Sequence, residues 1–295
     1  MVVRFGVELE SYGLNGQEIK EALESVGGTF GGIVGYHGTA RGGYNDSKNG
    51  VFVWTVESDS TIDSRDRLFR GTARMTQQGT HEIVSPILYG EVGIKHMIKV
   101  MKALSNAGAK VNSSCGTHVT FSANNSRWNR MSMDKTIDCQ RNINNFVNKY
   151  QSVIDMLVAP SRRAGGSNHY CNAQPLWHYN YSPAPSNRYN NINWNNFRSG
   201  STDRQRHSAA RDTRLGNRME FRQHQGTMNG AKLAGWIRLN HKIITQFIND
   251  GASAGTNPMG QTNDYAGMCV ALGLGPQLRA YMEERMVNFG FGVVA

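Results

Sequence analysis

The chain has 295 residues, 18% of them charged, with 32 lysines and arginines against 22 aspartates and glutamates and a formal net charge of +10. That length can bury a substantial core, and the spread of apolar residues argues against a disordered chain. No apolar run approaches the roughly 18 residues of a membrane span, and Glu8 and Glu10 interrupt any leader-like pattern, so a cytoplasmic protein with no membrane partner is expected.

Residues 2–11, VVRFGVELES, read as a strand, and a helix is predicted from about Gly16 to Val26 with Gly27 as its stop. The glycine-rich stretch 27–50 lacks the GK[ST] ending of a P-loop and the spacing of a dinucleotide fingerprint, so it reads as a loop or irregular hairpin. VFVWTVE, residues 51–57, is a strand. An arginine-rich turn from Arg65 to Arg74 separates it from HEIVSPIL, which Pro86 ends or edges. A helix follows from about Gly90 to Ala107, closed by Gly108, then short strands over 109–112 and 115–123. A long helix is predicted from about Ser132 to Val158, stopped by Pro160. Residues 161–217 are polar, rich in Asn, Ser and Arg, and too long for an ordinary connection. The strand RMEFRQH, a helix from about Gly230 to Asp250 and a last helix around Gln277 to Val287 complete the chain, which shows no internal repeat. Strands and helices do not alternate regularly. An α+β fold is therefore predicted, with an antiparallel sheet and helices on its other face. The four cysteines (Cys115, Cys139, Cys171 and Cys269) form no CxxC pair and are expected to be buried thiols.

Four of the strands carry polar residues two apart: Glu8/Glu10, Glu57/Asp59, His118/Thr120 and Glu220/Arg222. Side chains two apart on a strand share a face, so one sheet could gather these groups, with Glu82 as a further acid. Several carboxylates are not buried together without cations to offset them. Hard oxygens from Glu8, Glu10, Glu57, Glu82 and Glu220, with the His118 imidazole, suit Mg²⁺ or Mn²⁺. Two such ions can clamp a triphosphate, and Arg222 could meet a transferring phosphoryl group by bidentate hydrogen bonds. A single such pair is usually only a solvated face; the combination carries the reading.

The motifs FGVELE, VESDSTI, HEIVSPIL, NSSCGTHV, APSRR followed by NHYC, and MEFRQHQGT stand in the order seen in the amidoligase family, which the chain resembles from about residue 4 to 240. The resemblance implies a glutamine-synthetase-like curved sheet carrying the active site. It also implies ATP, divalent metal and a single catalytic domain over 1–295, with about 161–217 as an insertion. It makes Glu8 and Glu10 similar to first-strand metal ligands and Glu57 and Glu82 to further metal-site acids. His118 is similar to a metal- or nucleotide-contacting histidine, and Glu220 and Arg222 to a pair that binds metal and phosphate. Arg162 and Arg163, in APSRR, become candidates for ATP phosphate or substrate carboxylate, or else a surface basic turn. Thr120 stands where the family has a second histidine, which His224 would replace only if its strand is adjacent.

The reaction so implied is ATP-dependent amide-bond formation through an acyl phosphate. A small-molecule or peptide carboxylate and an amine are the partners. Asp59 would help bind or deprotonate the amine, or would cap the turn in ESDST. An alternative is a non-catalytic protein binding nucleic acid or another polyanion through its basic loops and the aromatics Trp177, Tyr179, Tyr181, Tyr189 and Trp194. A third reading pairs Cys115 with His118 as a nucleophile and base, which needs a turn between them. Glutamine synthetases assemble into rings, but no segment here marks an interface.

Overall fold

A computed structural model describes residues 4–34, 47, 49–63, 74–122, 133–164, 171–176, 187, 189–193, 218–250 and 261–292. They fall into two compact units, one of residues 1–121 with 225–234, the other of 122–224 with 235–295. Most of the glycine-rich 35–48 stretch, the arginine-rich turn, Trp177, Tyr179, Tyr181, Trp194 and residues 198–217 lie outside the described residues.

The first unit is built on β1 (Arg4–Leu14), β2 (Gly28–Val34), β3 (Phe52–Ser58), β4 (Gly79–Val84), β5 (Leu88–Tyr89) and β6 (Gly116–Ser122). The strand order is β2-β3-β4-β1-β6, with β5 on β1. All pairs in it are antiparallel except β2 with β3, so the sheet is mixed. The loop or hairpin expected over 27–50 is corrected here: its first part is the parallel edge strand β2. Gly31 lets that strand approach its neighbour, because a Cβ there would lie 2.9 Å from the Val53 side chain. The short strand expected at 109–112 reduces to an isolated bridge between Tyr12 and Lys110.

Alternation on β1 sets the two faces. Val7 and Leu9 are fully buried, and Leu9 stands opposite Ile83, itself opposite Val56. Helices α1 (Gly16–Glu24) and α2 (Gly90–Ala107) cover this apolar face with Ile19, Leu23, Met97, Met101 and Leu104. Trp54, on the same side of β3 as Val56, donates its indole N–H to Nε2 of His96 on α2 at 3.1 Å, and Phe52 stacks on that imidazole at 3.8 Å. A capping box starts α1: Asn15 Oδ1 accepts from Glu18 N, and Glu18 Oε2 accepts from Asn15 N. Gly108, at φ 106°, ends α2 in the left-handed region.

The second unit holds α3 (Met133–Lys149), α4 (Gln151–Met156), a 3₁₀ turn (Pro160–Arg162), the paired strands β7 (Ile192–Asn193) and β8 (Arg218–Gln225, through His224), most of α5 (Gly230–Asp250), α6 (Tyr265–Ala271) and α7 (Pro276–Asn288). The one helix expected from 132 to 158 is broken at Tyr150, whose φ and ψ of −98° and 20° depart from helical values. Ile143, Phe146, Ile154, Ile244, Phe247, Met282 and Met286 form its core. No helix among the described residues is long and apolar enough to cross a membrane.

Candidate functional site

The acidic face of the first unit follows from strand period and register. Glu10 on β1, Glu82 on β4 and Glu57 on β3 are consecutive cross-strand partners, so three carboxylates form one row. Glu8 stands opposite His118 on β6, one pair further along. The His118 ring reaches three acids: Nδ1 lies 3.2 Å from Glu8 Oε2 and 3.9 Å from Glu82 Oε1, and Nε2 lies 3.4 Å from Glu10 Oε1. The backbone N–H of Gly116 donates to Glu10 Oε2 and fixes that carboxylate at the start of β6. One ligand atom from each of Glu8, Glu82 and His118 falls within 4.8 Å of the others, a grouping able to hold a metal ion.

The electrostatics point to a cation. Burial, then the carboxylates of Glu8 and Glu10, a hydrogen bond with Glu8 and finally Asp59 push the Glu82 carboxyl well above the usual carboxylate range. His81, the next residue back, offers no relief. It faces the other side of β4, fully buried, and burial lowers its pKa to about 4. Hard oxygens around one imidazole are donors that fit Mg²⁺ or Mn²⁺.

The remaining residues singled out in the sequence occupy three settings. Asp59 is a turn residue: its Oδ1 accepts from the backbone N–H of Thr61 at 2.8 Å and from the Thr61 hydroxyl at 2.6 Å. Thr120 is buried on the same strand face as His118, opposite Gly6, which has no side chain. Cys115 is buried before β6, its Sγ 3.7 Å from Asn112 Oδ1, while the His118 ring sits among carboxylates. All four cysteines are buried thiols.

In the second unit, Glu220 and Arg222 lie two apart on β8, and Nη1 of Arg222 donates to Glu220 Oε1. The other carboxylate oxygen, Oε2, accepts from Nδ2 of Asn193 on β7 at 2.7 Å. Asn193 is a partner of Glu220 that sequence reasoning missed. It sits in a two-residue strand with no periodicity, inside a stretch read as polar loop. His224, also on β8, is fully buried with its ring 5.5 Å from the Trp236 indole.

The reading of Arg162 and Arg163 as a surface basic turn is corrected. Arg162 is 1% exposed, with Nη1 3.5 Å from Cys171 Sγ, which in turn donates to the Arg222 carbonyl. Arg163 Nε donates to the carbonyls of Asp155 and Val158, and its guanidinium lies 4.9 Å from the Phe291 ring centroid. These contacts tie Arg163 to the end of α4 and the C-terminal tail.

Residues 2–244 match the family model described as "Putative amidoligase enzyme". The chain belongs to the amidoligase family. No curated protein matches it. Among solved structures, one titled "Crystal structure of novel glutamine synthase homolog" is similar at 9% identity with a TM-score of 0.39, over 98% of this chain and 65% of that one. This amidoligase thus spans about two thirds of that protein's length.

Proposed function

We propose that this amidoligase is an ATP-dependent carboxylate–amine ligase that activates a carboxylate as an acyl phosphate and transfers it to an amine. The observation that carries the reading is the Glu8–Glu82–His118 cluster with Glu10 and Glu57 in the same rows, a donor set made for a divalent ion. Such an ion, when bound, would neutralise phosphate charge as a Lewis acid.

The chain's own residues do the rest. Glu8, Glu10, Glu57 and Glu82 supply oxygens, and His118 orients the acids it touches. Arg222, gripped by Glu220, supplies the guanidinium for a phosphoryl oxygen as charge builds up in transfer. In balance, a substrate carboxylate oxygen bonds to the terminal phosphorus of ATP and ADP leaves. The amine nitrogen then attacks the acyl carbon, phosphate departs, and one proton is lost from nitrogen. The Asp59 carboxylate is the base that takes that proton; since Oδ1 is engaged by Thr61, the role falls to Oδ2. Binding of the reactants in one geometry supplies much of the rate. The carboxylate is that of a peptide or an amino-acid-like molecule.

The test is ADP release from ATP and Mg²⁺, with and without pooled peptides, amino acids and amines, against Glu220→Ala and Glu82→Ala. Amine-stimulated ADP that both substitutions abolish is the expected result. Stimulated turnover that survives both would sink the assignment.

A further inference from the structure

Arg222 and Asn193 both hold the Glu220 carboxylate, each on a different oxygen. Arg222 donates to Oε1 and Asn193 to Oε2, the latter at 2.7 Å. Glu220, Arg222 and Asn193 are all buried, at 9%, 8% and 7% exposure. An ionised carboxylate only accepts, so the amide face turned to Glu220 must be the NH₂. The asparagine is itself held by a built support. Asn193 and Ile192 pair in register with Glu220 and Phe221. The Ile192 N–H donates to Gln174 Oε1 at 2.9 Å, and Asn191 Nδ2 donates to Gln151 Oε1 at 2.6 Å. The Asn191 carbonyl accepts from the Arg222 backbone N–H at 2.9 Å. Two residues of strand are thus anchored by buried glutamines on one side and by β8 on the other.

We infer that Asn193 is a positioning residue for nucleotide phosphate. It holds one oxygen of Glu220 so that the other aims the Arg222 guanidinium. The inference rests on the phosphate role proposed for Glu220 and Arg222. Without the amide donor, Glu220 can turn both oxygens onto the guanidinium as a bidentate pair, a geometry that competes directly with phosphate. With aspartate at 193, two carboxylates would meet at hydrogen-bond distance and the pair would reorganise around a shared proton or a cation. Outer residues of this kind change ligand affinity by about 10–100-fold when removed.

The experiment is isothermal titration of the full chain with a non-hydrolysable ATP analogue and Mg²⁺, comparing wild type with Glu220→Ala, Asn193→Leu, Asn193→Ser and Asn193→Asp. Glu220→Ala should lose binding. Asn193→Leu, similar in volume without a donor, should weaken it by about 10–100-fold. Asn193→Ser keeps a donor and should recover most of the affinity. Asn193→Asp, nearly isosteric, should bind more weakly than Asn193→Ser, an order that a purely packing role does not produce. If Asn193→Asp and Asn193→Ser both bind like wild type while Glu220→Ala does not, the inference is overturned and the phosphate role stands. Wild-type binding by Glu220→Ala as well would overturn that role and the inference with it. Should Asn193→Leu fail to fold, the order of the serine and aspartate variants still decides.

Discussion

Replacing Glu82 by glutamine should stabilise the metal-free protein and abolish its stabilisation by metal. Burial and the neighbouring acids raise the Glu82 carboxyl well above its usual range, so the folded chain retains a proton that the unfolded chain releases above pH 4.5. That contribution is full below the unfolded value and is lost as pH rises through the folded one. Glutamine fixes the neutral state and keeps a donor for Glu8. Two unit charges 4.8 Å apart, the outer limit of the Glu8–Glu82–His118 grouping, repel by about 3.5 kcal/mol at an effective dielectric constant of ~20. Protonation already relieves part of this in the wild type. The gain at about pH 8 should therefore be ~1–3 kcal/mol, or roughly 2–6 °C in Tm. Near pH 5 the two proteins should converge. Mn²⁺ at about 100 times its Kd should add ~2.7 kcal/mol to the wild type and little to the variant. Thermal denaturation in EDTA and in Mn²⁺, at both pH values, reads all of this. A Glu82→Gln protein that is less stable in EDTA at the higher pH, yet responds to Mn²⁺ like the wild type, would refute the crowding argument and the cation site together.

Gly226→Ala should cost about 1–3 kcal/mol by denaturant titration, because the new Cβ would lie 2.5 Å from the Cβ of Cys115; adding Cys115→Gly should recover part of the loss. His96 is held neutral in the folded state, with a pKa lowered to about 4 from 6.5 by burial and then by Lys99. Its contribution is present above pH 6.5 and is lost as pH falls from there toward 4, since only the unfolded chain takes the proton. His96→Gln should flatten the stability profile in that window by one proton. Arg163→Ala should lower stability by about 2 kcal/mol, from its one charge-assisted Nε–H forked between two carbonyls and its ring contacts, while leaving the affinity for Mg²⁺ and ATP analogue unchanged below the melting range. A variant of unchanged stability with weakened nucleotide binding would return Arg163 to the site.

The acid rows were legible because a strand repeats every two residues. Glu8 and Glu10 on β1 had to share a face, and that face could not be the one carrying Val7 and Leu9. Register was not legible, so the sequence could not say that Glu82 stands directly between Glu10 and Glu57. Edge strand β2 was hidden by its glycines, which serve close approach to β3 and look like loop chemistry. The break at Tyr150 interrupts an unbroken helical periodicity and leaves no local trace. Asn144 and Gln151 on the predicted helix, Gln174 and Asn191 in the polar stretch 161–217 and Gln223 on the predicted strand all look like solvated polar residues. In the fold they hydrogen-bond one another and Asp155 as a buried amide network that anchors β7 and β8. Their partners are distant in sequence, so nothing local distinguishes them from surface polar residues.

The two groups of glutamates answer the cost of burial differently, and this separates their chemistry. On the first unit, three carboxylates lie within 4 Å of one imidazole, and burial together with the neighbouring acids raises the Glu82 carboxyl. A divalent ion would offset that crowding, which is why the proposed metal site rests on these residues. On β8, Glu220 meets an arginine on one oxygen and an amide donor on the other, with its charge answered inside the protein. A carboxylate so matched gains less from a metal ion and more from steering its arginine. Two sets of the same residue type, both read from strand spacing as metal-binding acids, thereby take different parts in the proposed function. In the proposed function Glu8, Glu10, Glu57 and Glu82 serve the cation, and Glu220 sets the direction in which Arg222 meets a phosphate.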